Sequence, residues 1–406
     1  MSGGFTWLAI ARLGLVQASI GAIVMLATSL LNRVMVVEFG LLAAIPAGLV
    51  AWHYAVQLSR PIWGYGSDIG RKRTPWIIGG MAVLGCGALM AVNAAVMITS
   101  SPFWGGILAV LAFSLIGAGV GAAGTTLLAL LASGVARQRR AAAAAVTWIM
   151  MVAGIVVSAG VAGSLIDPFS IQRLTLVAGG IISCSFIVTI IATFKLEKEA
   201  LVEEPEYGNE HALNFVEAIK EIMAEKEARR FTIFIFVSML AYSMQDLILE
   251  PFAGLVFNMT PGQSTSLAGI QHSGVLLGMI TVGIGGSAFK GRMPVELRTW
   301  IVAGCIGSAV SLFGLSFGAM NGPGWPLLTN VFILGFCNGA FAVAAIGAMM
   351  GLAGAGHRTR EGIRMGVWGA SQAIAFGLGG LLGAVGVDFA RRSSENDGSA
   401  FQLIFA

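Results

Sequence analysis

Residues 75–100 read PWIIGGMAVLGCGALMAVNAAVMITS, a run without one charged side chain. A helix needs about 20 predominantly apolar residues to cross the hydrocarbon core of a bilayer, so this run is long enough. Eleven such segments follow one another between about Leu13 and Asp388, and a twelfth begins near Ala400. The segments are continuous and do not alternate with a period of two, which excludes a barrel. The sequence therefore predicts an all-α polytopic membrane protein.

The basic residues fall almost entirely in alternate loops. All but four of the 24 Lys and Arg residues lie at Arg12 or in the loops after segments 2, 4, 6, 8 and 10. Basic loops usually face the cytoplasm. The sequence thus predicts a multi-pass protein with a cytoplasmic N-terminus. The pI near 9.0 is explained by basic residues that anchor the helices beside membrane lipid, and it requires no nucleic-acid partner.

The chain contains an internal sequence repeat. At an offset of 219 residues, the stretch 53–75 aligns with the stretch 272–294, including identical His, Pro and paired Gly residues. Two parallel halves of six helices are the arrangement of the major facilitator superfamily. We expect the halves at residues 1–195 and 230–406. Only seven residues, Ala400–Ala406, remain for the twelfth helix, so we expect that helix to be truncated.

Residues 196–229 join the halves and form the one plainly soluble stretch, which is acidic. Apolar side chains between Leu213 and Met223 share one helical face, and Asn209 is a suitable N-cap. This pattern predicts an amphipathic helix in a cytoplasmic linker. A linker that merely joins the bundles and a docking site for a partner both remain open.

The loop after segment 2 reads GYGSDIGRKR over residues 64–73 and resembles the loop signature of the major facilitator superfamily, with one residue fewer between Asp and Gly. We expect Asp68 to accept hydrogen bonds from a helix N-terminus and a nearby arginine to pair with an acid or a helix C-terminus. The loop would then latch the cytoplasmic ends of the halves. The candidate gate residues are Gly64, Asp68, Gly70, Arg71 and Arg73.

Every Asp and Glu can be assigned to a segment end or a loop, and Asp246 and Glu250 are assigned to the outer face. There we expect a polar cluster of Arg33 with Asp246 or Glu250, beside Asn32. Independent extension of each side chain to water is the alternative. Because an intramembrane charge typically marks an ion-coupled pathway, this assignment disfavours a coupled carrier.

Four stretches closely resemble the PucC family, a branch of the major facilitator superfamily that assembles light-harvesting complexes in phototrophic bacteria. They are LNRVMVVE at 31–38, HYAVQ at 53–57, RPIWGYGSD at 60–68 and RTPWIIGG at 73–80. The resemblance covers essentially the whole chain. It implies an inner, intracytoplasmic photosynthetic membrane and bacteriochlorophyll as the handled ligand. It also implies light-harvesting antenna polypeptides or a chlorophyll-synthase enzyme as partners.

Three functions follow for comparison. The first is an assembly factor for light-harvesting antenna complexes that binds bacteriochlorophyll or nascent antenna polypeptides. The second is a major-facilitator transporter or pigment flippase for a small apolar molecule. The third is a pigment-synthesis enzyme, which would need clustered Asp residues to hold Mg²⁺ and diphosphate. Because the sequence has no Asp-x-x-x-Asp pair, we expect no enzyme activity.

Two histidines, His53 and His272, lie inside apolar segments at matching positions of the repeat. A neutral imidazole can ligate the Mg²⁺ of bacteriochlorophyll. Aromatic and amide neighbours could stack on a flat macrocycle. The alternative is that each histidine donates to a backbone carbonyl and is a satisfied core residue. The candidate pigment-binding residues are His53, His272, Trp52, Tyr54, Gln57 and Trp63.

Overall fold

The computed structural model of the chain describes residues 5–60, 63, 67, 72–135, 140–199, 224–283, 296–354, 361–394 and 396–406. Apart from short 3-10 turns, these residues form twelve helices. The helices are α1 Trp7–Glu38, α2 Ala44–Val56, α3 Thr74–Ser100, α4 Pro102–Gly134, α5 Arg140–Leu165, α6 Ile171–Thr193, α7 Lys226–Phe257, α8 Pro261–Gly283, α9 Leu297–Asn321, α10 Leu327–Gly354, α11 Glu361–Ser393 and α12 Asp397–Phe405.

Within the described ranges, ten helices are long and apolar enough to cross a membrane. Large apolar side chains remain exposed on their outer faces, for example Val157 (64%), Leu176 (67%) and Phe389 (72%). Such exposure would be unfavourable in water but suits contact with lipid tails. The chain is a multi-pass α-helical membrane protein.

The twelfth helix begins earlier than the sequence predicts, at Asp397 and not near Ala400. Its start is fixed by Asn396, whose side-chain oxygen accepts a hydrogen bond of 2.8 Å from the Ser399 amide. Such an N-cap satisfies an otherwise unpaired amide in the first turn of the helix.

The helices pack in the same pairs in two sets of six. The α1–α5 contact recurs as α7–α11, and the α2–α4 contact recurs as α8–α10. The sets meet mainly where α2 lies against α11 and α5 against α8. The boundaries at residues 195 and 230 remain predictions, and the amphipathic helix expected between Asn209 and Met223 lies outside the described residues.

Glycine permits close approach of the helix backbones. A Cβ atom added to Gly335 on α10 would lie 2.0 Å from the carbonyl oxygen of Gln271 on α8. One added to Gly154 on α5 would lie 2.2 Å from the carbonyl oxygen of Ala18 on α1. Without a hydrophobic driving force between helices in lipid, such tight backbone contact is a main source of association.

We expect Gly154→Ala to destabilise the bundle, because the new methyl group forces α1 and α5 apart. Overpacking of this kind typically costs about 1–3 kcal/mol. The matched control is Gly160→Ala on the same helix, where an added Cβ meets no atom within 4 Å. Heating the detergent-solubilised proteins and measuring the fraction that remains monodisperse should show a lower midpoint for Gly154→Ala alone. Equal midpoints would contradict the packing explanation.

Candidate functional site

Polar and aromatic side chains from α2, α7, α8 and α11 meet where the two sets of helices touch. Asp246 on α7 accepts a hydrogen bond of 3.3 Å from Gln271 on α8. The ring of Tyr54 stacks on Phe376 with centroids 5.7 Å apart, and the ring of Tyr242 meets Phe376 edge-on at 5.8 Å. Both tyrosines lie within electrostatic range of Asp246. These residues form a central polar site.

Asp246 and Glu250 lie inside a spanning helix, which corrects their assignment to an outer segment end. The helix α7 continues through Pro251 to Phe257. Asp246 is eleven residues before that end, which at about 1.5 Å per residue is roughly half the hydrocarbon thickness. A proline that would end a helix in water is tolerated inside a membrane, where neighbouring groups satisfy the freed carbonyl. The interior therefore carries carboxyl groups.

Arg33 on α1 is also inside a span, with only 2% of its side chain exposed. Its Nη1 atom pairs with Glu38 on the same helix, and its Nη2 atom donates 2.7 Å to the carbonyl of Met259 in the other set of helices. Residues five apart meet because Val34–Glu38 is a π-helical turn, which is wider than an α-helical turn. The ion pair of Arg33 is therefore with Glu38, and not with Asp246 or Glu250.

The remaining members of the predicted cluster lie nearby. Asn32 donates a 2.7 Å hydrogen bond to the carbonyl of Leu247 on α7. Glu250 lies within electrostatic range of both Arg33 and Asp246. The polar cluster of these four residues as a functional unit remains a prediction.

Asp388 on α11 binds the start of α2. Its two carboxylate oxygens accept hydrogen bonds from the backbone amides of Ala43 (3.0 Å) and Ala44 (2.8 Å). A carboxylate at a helix N-terminus satisfies unpaired amides and is attracted by the helix dipole. The cap therefore holds the two sets of helices together at this end, which we name the capped end.

Asp167, which follows α5, makes the equivalent contact with the start of α8. It accepts hydrogen bonds from the amide of Gly262 (3.1 Å) and from the hydroxyl of Thr260. The helices are in close contact here, since a Cβ atom on Gly262 would lie 2.5 Å from the carbonyl oxygen of Gly163. Each set of helices thus contributes one aspartate that caps the second helix of the other set.

Both ring nitrogens of His53 are hydrogen-bonded to residues three or four positions away in the chain. It is buried, its Nδ1 lies 2.8 Å from the carbonyl of Val50, and its Nε2 lies 2.8 Å from the amide nitrogen of Gln57. The carbonyl can only accept, so Nδ1 carries the proton and Nε2 accepts from Gln57. Since Arg60 in turn donates to Gln57, His53 offers no free lone pair to a metal. The hydrogen bonds of His53 do not fit a metal ligand.

His272 differs from its counterpart. Its Nδ1 donates 2.9 Å to the carbonyl of Ala268, which leaves the lone pair on Nε2. In the described part of the chain this Nε2 makes no hydrogen bond, and the side chain is half-buried within electrostatic range of Asp246. The donor chemistry of His272 fits the Mg²⁺ of bacteriochlorophyll. Its role as a pigment ligand remains a prediction.

The two predicted tryptophans lie apart from the central site, each in an apolar groove at the bundle surface. The groove of about 380 Å³ at Trp52 is lined by α2, α3 and α4, and the Trp52 indole donates 2.8 Å to Ser114. The groove of about 300 Å³ at Trp63 is bordered by Trp76, whose ring meets Trp63 at 6.4 Å. Of the six predicted pigment residues, Tyr54 and His272 border the central site, and the ring of His53 lies 4.3 Å from that of Tyr54.

Most of the predicted gate lies outside the described residues, namely Gly64, Asp68, Gly70 and Arg71. Arg73 is described, and its guanidinium donates 2.9 Å to the carbonyl of Ala129 near the end of α4. Glu197 accepts from the Arg73 and Thr74 amides at the start of α3. These contacts join helix ends within one set of six. A latch between the sets remains a prediction.

The fold is that of the major facilitator transporters. The chain superposes on a bacterial homologue of the human lysosomal transporter Spinster with a TM-score of 0.67, covering 98% of this chain and 91% of that one at 14% identity. It superposes on the nucleoside transporter NupG with a TM-score of 0.69, covering 98% and 95% at 12% identity. At such identities the likeness defines the fold alone.

Sequence comparisons identify one family among the proteins that share this fold. The profile of the family described as "PUCC protein" matches residues 30–406. The chain is 49% identical to the "Bacteriochlorophyll synthase 44.5 kDa chain" of Rhodobacter capsulatus, over 98% of this chain and 91% of that one. It is 31% identical to "Protein PucC" of the same species, over 92% and 82%. The chain belongs to the PucC family.

Proposed function

We propose that this protein is an assembly factor for bacterial light-harvesting antenna complexes, which handles bacteriochlorophyll, nascent antenna polypeptides or both. Membership of the PucC family carries the proposal, because the match spans residues 30–406. The name of the relative at 49% identity connects that relative to bacteriochlorophyll. On this reading the chain lies in the intracytoplasmic photosynthetic membrane, with its N-terminus in the cytoplasm.

The central site supports a pigment-handling role. His272 has a lone pair available for Mg²⁺, and Tyr54 and Phe376 provide stacked rings nearby. When bound, bacteriochlorophyll would supply a Mg²⁺ centre that accepts a lone pair, and the Nε2 atom of His272 would hold it. Antenna polypeptides would contact the lipid-facing helices, and a chlorophyll-synthase enzyme would supply the pigment.

A transporter or pigment flippase is the second candidate. The observation that favours it is the capped end, where two reciprocal aspartate caps join the sets of helices. Alternating access requires two rigid bundles whose contacts at one end can separate.

We do not propose enzyme activity, because the sequence has no paired aspartates for Mg²⁺ and diphosphate, although one relative is named as a synthase chain.

Purification from a phototrophic host in a mild detergent tests the proposal. An assembly factor should elute coloured, with a bacteriochlorophyll absorption band and with antenna polypeptides identified by mass spectrometry. The control is an unrelated multi-pass protein with the same tag, purified from the same membranes. A colourless preparation without antenna polypeptides above the control would contradict the assembly role and favour the carrier.

A further inference from the structure

Arg33 lies between two acids that belong to different sets of helices. Glu38, on its own helix, is 28% exposed and forms an ion pair with the guanidinium. Glu250, on α7, has 4% of its surface exposed and lies within electrostatic range of Arg33. The guanidinium packs closely against α7, since its Nη2 would lie 3.3 Å from a Cβ atom on Gly254. Two carboxyl groups thus lie within electrostatic range of one buried cation, which forms its ion pair with Glu38.

Glu250 is poorly satisfied as an anion. Among the residues that the structure describes, its Oε2 atom accepts only a 3.4 Å hydrogen bond from Thr265 on α8, and its Oε1 atom is buried without a partner. The ion pair of Arg33 is made with Glu38, and its second terminal nitrogen donates to Met259. Asp246, one turn earlier on α7, adds a like charge when it is ionised. Burying a carboxylate under these conditions costs several kcal/mol.

The balance between the charge of Arg33 and the two carboxyl groups indicates which carboxyl group carries a proton. Arg33 neutralises one carboxylate, and the partly exposed Glu38 occupies that position. Within the described ranges, the other charged or titratable groups facing Glu250 from the packed helices are Arg33 and Asp246, and Asp246 itself faces His272. We propose that Glu250 is a proton-binding site, protonated while the capped end is closed and deprotonated when the two sets of helices separate there.

The coupling follows from the location of the site. Glu250 contacts α8 through Thr265, and Arg33 crosses between the sets to Met259 near the start of α8, beside the Asp167 cap. Separation at the capped end would admit water to Glu250, and a hydrated carboxylate readily loses its proton. Since the closed state binds the proton more tightly, acid favours closure and alkali favours opening. One proton per molecule changes the closed-to-open ratio by up to about tenfold per pH unit.

Infrared difference spectroscopy on the full-length protein provides the direct test. The carbonyl stretch of a protonated carboxylic acid should be present in the wild type, shift in deuterated buffer and disappear in Glu250→Gln. In Glu38→Gln the guanidinium is free to pair with Glu250, so the band should also weaken there. A band unchanged in both variants would overturn the proposal.

Spin-label distances measure the coupling. Labels at Ser100→Cys and Asn321→Cys mark exposed ends of α3 and α9 at the capped end, after Cys86, Cys184, Cys305 and Cys337 are replaced by Ser. The wild type should open as the pH rises, Glu250→Gln should remain closed at every pH, and Glu38→Gln should stay closed to higher pH. The same pH response in all three would refute the coupling. Neither readout needs pigment, so both are independent of the proposed function.

Discussion

Replacing both Asp167 and Asp388 by Ala is expected to open the capped end. Each carboxylate accepts two hydrogen bonds at a helix N-terminus in the opposite set of helices. A cap of this kind contributes about 1–2 kcal/mol. Losing both should lower the closed-to-open ratio roughly 30- to 1,000-fold, since 1.4 kcal/mol corresponds to about tenfold. The Ser100 and Asn321 label pair should report a longer distance.

The matched control is Asp397→Ala. Asp397 also lies at the capped end, but it pairs at 2.6 Å with Arg391 within one set of helices and is 34% exposed. An exposed ion pair contributes about 0–1 kcal/mol, so the distance should not change. Each single cap variant should show an intermediate shift, because the other cap remains. A double variant with the wild-type distance distribution would show that the caps do not hold this end closed.

The helical fold was largely predictable from sequence, because long apolar runs have one solution in lipid. The PucC resemblance was also confirmed by the family match. The reciprocal caps were missed, although a signal existed. Asp167 and Asp388 stand at nearly the same offset as the repeated histidines, and an acid kept at matching ends of two repeats suggests a shared contact. Their partners could not be derived, because helix N-termini in another bundle are not encoded nearby in the chain.

The assignment of Asp246 and Glu250 to an outer segment end was wrong for a local reason. Glu250 precedes Pro251, which in water would mark the end of a helix, but α7 runs on to Phe257. Likewise, the Arg33–Glu38 pair depends on the π-helical turn Val34–Glu38, which no residue pattern predicts. The two histidines stand at matching positions of the repeat, and local hydrogen bonds distinguish them, because Gln57 bonds to the Nε2 atom of His53 and no such bond is made by His272 in the described part of the chain.

Because the two histidines differ in their hydrogen bonds, we expect their replacement to affect bound pigment differently. His272→Phe is expected to lower the bacteriochlorophyll bound per polypeptide at least tenfold, because it removes the available Nε2 lone pair while filling similar space. His53→Phe should leave pigment content unchanged, since its Nε2 is already bonded to Gln57. It should instead lower stability by about 1–3 kcal/mol, because the buried amide loses its partner.

Both quantities are measurable on the same samples, by pigment extraction with protein quantification and by thermal unfolding in detergent. A ligand role can be separated from a packing role with His272→Gly, to which imidazole is added. If His272 ligates the metal, free imidazole should restore pigment to the glycine variant, because it replaces the missing lone pair. If His272 only packs, imidazole should restore nothing. Full pigment content in His272→Phe, or a selective loss in His53→Phe, would reverse the assignment of the two histidines.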